Sequence, residues 1–390
     1  MSKQRPIYLD YQATTPLDPR ALAAMRPFLE DQFGNPHSDH HQYGRDAAAA
    51  VESARAEIAS LIGADPREVV FTSGATESNN LAIKGAARFV GNRRRHIVTV
   101  ATEHKCVLES VTALEAEGFS NTILPVRPNG LIDLDTLDSA INDETVLVSV
   151  MGVNNEIGVI QALGDIGQLC RARGALFHTD CAQAAGKIPL DVDEMAIDLM
   201  SISAHKMYGP KGIGALYVRR RPRVRLDPLF SGGGQERGVR SGTLPAFLCV
   251  GFGAAATAAQ QNMSAERERL LDMHQRLKGK LLTIPGARFN GDADQRWPGN
   301  LNVAFSGVDA QTLLETLVDE IAAATGSACT SAAVEPSYVL QAIGLDDRTA
   351  AGAIRLGLGR QTTVGEIDAA ADQIADAIEA SRVVAQTSAA

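Results

Sequence analysis

Four side chains in this sequence have chemistry that depends on where the fold puts them: His104 in TEHK, Asp180 in FHTDCAQ, Lys206 in SISAHKMYGPKGIGALYV and Cys329 in GSACTSA. Lys206 directly follows an apolar, strand-like run, among a histidine, a tyrosine and several glycines, where burial is expected. Burial disfavours the ammonium, lowers the amine from its ordinary pKa of roughly 10.4, and frees it to attack a carbonyl. Asp180 precedes Lys206 by 26 residues (206 − 180), room for one helix-containing crossover between two strand ends. An acid and an amine can then meet at the edge where open α/β sheets bind ligands, although an Asp that only caps the next helix fits the same pattern. FTSGATES, residues 71–78, sets a glycine turn before Thr76 and Glu77 at a helix start. That is either an anion site suited to phosphate or an ordinary capped helix. A Schiff-base lysine, an acid for a ring nitrogen and a phosphate cradle are the three things pyridoxal phosphate asks of a protein.

These residues need a sheet to bring them together. Strand-like runs at 69–71, 96–100, 122–126, 146–151, 175–178, 198–203 and 214–218 are separated mostly by stretches of helical length. Alternating β and α predicts an α/β fold: a mostly parallel seven-stranded sheet with helices on both faces. GALYV follows SIS after too short a link for a crossover helix, so it is expected to run antiparallel. After SGGGQERG (231–238) the pattern changes to a long helical stretch from about Pro245 to Leu282 with a break near Met263. Strand-like ARFNG, NLNVAFSG and AIRLGLG and a helix from Val364 follow. We expect a large domain over 15–260 and a smaller α+β domain built from 1–14 and 261–390, the latter carrying Cys329.

Composition excludes several classes. The net charge is −9 over 390 residues, so there is no surplus of basic residues for a generic nucleic-acid binder. No apolar run reaches the roughly 18 residues of a membrane span, and the N-terminus has no apolar signal core; a cytoplasmic protein is expected. The five cysteines are scattered and form no CxxC pair, which reads as reduced thiols. HSDHHQYG reads as a solvated loop and not as a metal site, because no acid cluster accompanies His37, His40 and His41. FTSGATES lacks the lysine of a P-loop.

YLDYQATTPLDP, FGNPHS, TEHKCVLES, VNNEIGVIQ, FHTDCAQAAGK, GGGQERGVRSGT, GSACTSAAVEPSYVL and IRLGLGR, with the motifs above, stand in an order and spacing that spans nearly the whole chain. The chain resembles the cysteine desulfurases of iron–sulfur cluster assembly, class V members of the fold-type I pyridoxal-phosphate enzymes. The resemblance implies that Lys206 carries the cofactor, Asp180 meets its ring nitrogen, Gln183 its ring hydroxyl, and His104 stacks on the ring and assists proton transfer. Ala75, Thr76, Ser203 and His205 would hold the phosphate of pyridoxal 5'-phosphate, with Thr243 reaching across from a second subunit of a homodimer. Asn155 and Arg355 would bind the carboxylate of L-cysteine. Cys329 would take the sulfur as a persulfide, release alanine and pass sulfur to an acceptor protein such as an iron–sulfur scaffold or a tRNA-thiolation carrier. A selenocysteine lyase or another class V reaction is the alternative on this cofactor, and a carrier without turnover is the alternative from another class. Cys181, beside Asp180, is expected to be a packed residue. The chain stops at VVAQTSAA, which leads us to expect weaker scaffold docking or docking through another surface.

Overall fold

The computed structural model describes residues 5–326 and 336–388, so Cys329 lies outside the described residues. The strands in chain order are β1 (Ile7–Tyr8), β2 (Val69–Thr72), β3 (His96–Val100), β4 (Ser120–Leu124), β5 (Thr145–Ser149), β6 (Leu176–Asp180), β7 (Leu199–Ser203), β8 (Gly214–Val218), β9 (Ala287–Phe289), β10 (Asn300–Phe305), β11 (Ile321–Ala322) and β12 (Ala353–Gly357). The seven runs read as strands all form strands, and they make one sheet in the order β2-β8-β7-β6-β5-β3-β4. β8 pairs antiparallel with both β7 and β2, as its short link to β7 requires; the other pairings in the sheet are parallel.

Alternate residues of these strands feed two cores, as a pleated sheet dictates. Val98, Val148 and Met200 face one core; Ile97, Leu147 and Leu199 face the other. Because both faces are covered, β3, β5 and β7 are buried at every position. The edge strand β4 leaves Ile123 44% exposed.

The helices that position the site are α1 (Pro19–Glu30), α2 (Gln42–Leu61), α3 (Ala75–Val90), α4 (Lys105–Ala113), α5 (Leu134–Ala140), α6 (Leu163–Arg173) and α7 (Ala246–Leu281). α3 packs across β5 to β8, while α1 and α2 pack on α7. α7 runs unbroken for 36 residues, about 54 Å, and corrects the expected break at Met263. The stretch from Gln260 to Leu271 holds neither Pro nor Gly and is rich in Glu, Arg and Gln, so nothing interrupts its hydrogen-bond ladder. Residue 260 therefore falls inside a continuous helix. A second, antiparallel sheet has the order β12-β10-β9, and β1 pairs in parallel with β11, so the N-terminal segment joins the C-terminal third of the chain.

Candidate active site

β2, β3, β5, β6 and β7 run in one direction, and their C-terminal ends open on a cavity of about 540 Å³. Of the twelve residues read from the sequence as site residues, ten line it: Ala75, Thr76, His104, Asn155, Asp180, Gln183, Ser203, His205, Lys206 and Arg355. Thr243 is exposed and does not line the cavity of its own chain. Cys329 is the twelfth.

Lys206 sits in the single turn Ala204–Lys206 that leaves β7. Its Nζ donates to the main-chain carbonyls of Gln12, at 2.5 Å, and Ala13, at 2.8 Å. The segment that begins at β1 thus supplies the acceptors that a half-buried amine requires. Asp180, the last residue of β6, accepts from Ala182 N–H at 2.8 Å through Oδ1 and from Asn79 Nδ2 at 2.7 Å through Oδ2. Two donors leave acceptor capacity on this carboxylate, which suits a protonated ring nitrogen.

His104 caps α4. Its Nδ1 accepts from Cys106 N–H at 3.2 Å and lies 3.0 Å from Cys106 Sγ. A neutral ring that accepts at Nδ1 carries its proton on Nε2. Glu103, the residue before it, is fully buried and accepts from Met151 N–H at 2.6 Å. Burial pushes the Glu103 carboxyl well above the usual range.

At the other end of the cavity α3 begins. Its N-cap is Gly74, at φ +152°, and no side chain caps it. A Cβ at Gly74 would meet nothing within 4 Å, so the helix N-terminus faces open space with its N–H groups available to an anion. No side chain caps α3, which is consistent with the anion-site reading of FTSGATES. Burial, aided by the charge on Lys206, pushes His205 down to about 4, and its Nδ1 lies 3.1 Å from Thr14 Oγ1. His205 is therefore a neutral hydrogen-bonding group at neutral pH.

Arg355, in β12, donates to the Asn155 carbonyl at 3.1 Å and to Asp10 Oδ1 at 2.9 Å. The guanidinium is 4% exposed, and its Nε has no partner. A planar fork of donors of this kind matches a carboxylate.

Sequence reasoning missed Gln12, Ala13, Asn79, Cys106 and Lys187, all of which touch the groups above. The structure buries His178 within the sheet, bonded to Ser149 Oγ at 2.8 Å and Ser201 Oγ at 3.0 Å, where burial pushes it down to about 3. Cys181 is packed as expected; burial pushes its thiol, and those of Cys170 and Cys249, up to about 12. His41 caps α2 through Nδ1, and His37 and His40 are exposed.

Residues 7–370 match the model of the family described as aminotransferase class-V. The chain belongs to that family. It is 58% identical over 370 residues to cysteine desulfurase of Mus musculus, an alignment covering 95% of this chain and 80% of the mouse protein. It is 56% identical to cysteine desulfurase IscS of Rickettsia felis, covering 96% and 91%. Among solved structures, a NifS-like protein superposes with a TM-score of 0.90 at 35% identity and covers 96% of this chain and all of its own. The resemblance drawn from the motifs is borne out by these matches. The groups at the strand ends also fit the cofactor of the resemblance: an uncapped helix start for phosphate, an acid with spare acceptors for a ring nitrogen, and an amine lining the same cavity.

Proposed function

We propose that this protein is a cysteine desulfurase, with pyridoxal 5'-phosphate held in the 540 Å³ cavity. The observation that carries the reading is the convergence of Lys206, Asp180, His104, Arg355 and the uncapped start of α3 on one cavity, in a chain 58% identical to a cysteine desulfurase.

Bound there, the cofactor supplies an electron sink for charge that develops at the substrate's Cα. The chain's own residues do the rest. Lys206 holds the cofactor, Asp180 meets its ring nitrogen and Gln183 its ring oxygen. Ala75, Thr76, Ser203 and His205 hold its phosphate, with Thr243 of a second subunit completing the cradle in a homodimer. Arg355 and Asn155 bind the carboxylate of L-cysteine. His104, with its proton on Nε2, stacks on the ring and moves protons beside it. Cys329, as thiolate, attacks the substrate sulfur: an S–S bond forms, the Cβ–S bond breaks with its electron pair left on Cβ, and protonation there gives alanine. The persulfide passes to an acceptor protein in iron–sulfur assembly, or to a carrier for tRNA thiolation.

The chain divides into a large unit over 15–260 and a smaller one from 1–14 and 261–390, a division supported by the pairing of β1 with β11. No helix among the described residues is long and apolar enough to cross a membrane, and we place the protein in the cytoplasm.

The test is paired quantification of alanine and sulfide from L-cysteine, with pyridoxal phosphate and a thiol reductant. Equal yields are expected from the wild type. Cys329→Ala is expected to keep the cofactor and lose sulfur transfer, and Lys206→Ala to lose the wild-type absorption band. Undiminished turnover by Cys329→Ala would refute the assignment of the nucleophile; selenocysteine as the only productive substrate would replace the reaction.

A further inference from the structure

Lys187 is a buried lysine that the reaction above does not use. Its Nζ donates to Gln183 Oε1 at 2.7 Å, four residues earlier in the chain. Gln183 Nε2 donates in turn to the Gln12 carbonyl at 2.9 Å, and the same carbonyl accepts from Lys206 Nζ at 2.5 Å. Two lysines are thus joined through one amide and one carbonyl. Between them is a cavity of about 10 Å³, room for one water, walled by Lys187, Lys206, Gln12, Tyr208 and Glu266.

A glutamine amide can be turned either way, and its two ends have opposite hydrogen-bonding character. A lysine has N–H groups to donate whether charged or neutral, and a carbonyl can only accept. Lys187 therefore claims Oε1, and Gln12 claims one hydrogen of Nε2. The remaining Nε2 hydrogen is a donor whose identity is fixed. Burying a lysine is costly, and burial, aided by the charge on Lys206, pushes Lys187 down to about 7. An apolar side chain would fill the same space without that cost.

We propose that Lys187 is a positioning residue: it locks the Gln183 amide with Nε2–H as the free donor, so that Gln183 donates to the cofactor's ring oxygen and cannot turn to present its own oxygen. This rests on the reading of the cavity as a pyridoxal-phosphate site. The Gln183–Gln12 bond extends the same lock to the carbonyl that holds Lys206.

The experiment titrates pyridoxal 5'-phosphate into cofactor-free wild type, Lys187→Met, Gln183→Met and the double variant. It reads the dissociation constant and the position of the visible absorption band. Lys187→Met is expected to weaken binding about tenfold, as the loss of one oriented hydrogen bond would, and to shift the band. The double variant should bind within about twofold of Gln183→Met, because Lys187 acts through Gln183. If Lys187→Met does not fold, Lys187→Gln replaces it; its shorter stem leaves Gln183 Oε1 without its donor and the same losses are expected. Wild-type binding and band in the Lys187 variant would overturn the proposal alone, as would single losses that multiply in the double variant. A wild type that binds no cofactor would overturn the functional reading and this inference together.

Discussion

Asp180 shows what a motif contains and what it omits. FHTDCAQ identifies the acid, but the group that orients it, Asn79, lies 101 residues earlier on α3. Asn79 is fully buried; its Nδ2 reaches both Asp180 Oδ2 and, at 3.1 Å, Cys106 Sγ, which contacts His104. Asn79→Leu, of similar volume, is expected to leave Asp180 with Ala182 N–H as its remaining protein donor and to free it to turn. The loss should be about 1–3 kcal/mol in cofactor binding, read as a rise of roughly tenfold or more in the dissociation constant of pyridoxal phosphate. An unchanged constant would show that Ala182 alone holds the carboxylate. The same limit applies to Lys206, whose acceptors on Gln12 and Ala13 lie 194 and 193 residues away. Residue types and local spacing are legible in a sequence. Partners brought together by chain reversal are not, which is why Gln12 and Asn79 escaped a reading that named ten of the residues lining the cavity; Lys187 lies only four residues from Gln183, but nothing in its type or spacing marks it as buried against the site.

At the scale of elements, legibility follows how local the cause is. Runs such as HIVTV and GALYV are strands because β-branched and aromatic residues suit a pleat buried on both faces, and the direction of β8 follows from the length of its link to β7. The start of α3 could not be read in the same way, since FTSGATES fits an anion site and an ordinary capped helix equally, and in the structure no side chain caps the helix. Gly74 takes the N-cap at φ +152°, a conformation that L side chains rarely adopt. Gly214 packs against it: a Cβ there would stand 2.7 Å from Gly74 Cα and 2.5 Å from the Ile202 carbonyl. Two substitutions should therefore separate two causes. Gly74→Ala is expected to cost about 1–2 kcal/mol of stability from backbone strain and to weaken binding of the cofactor phosphate as well. Gly214→Ala, blocked by backbone on two sides, should cost more in stability because β8 and the turn after β2 must part. Urea unfolding and cofactor titration of both variants would check this; greater stability loss at Gly74 would reverse the assignment.

Across the whole molecule, two buried titratable groups press on stability in opposite directions as pH changes. Burial pushes Glu156, whose Oε1 has no partner, up to about 7. Between about pH 4.5 and 7 the folded chain keeps a proton there that the unfolded chain has lost, so stability falls as pH rises through that window. His178 behaves oppositely, with burial holding it near 3. Between about pH 3 and 6.5 the unfolded chain binds a proton that the folded chain refuses, so stability rises with pH. Where the windows overlap the two slopes cancel, each about 1.4 kcal/mol per pH unit. Each variant should expose the slope of the other group. From pH 5 to 6.5, Glu156→Gln is expected to gain about 2 kcal/mol relative to wild type and His178→Gln to lose about 2 kcal/mol. Urea midpoints of the cofactor-saturated proteins at the two pH values measure both. Parallel shifts would mean that neither group is buried as the fold places it; opposite shifts would show that the sheet interior, in burying His178, offsets the cost of the acid held beside Arg355.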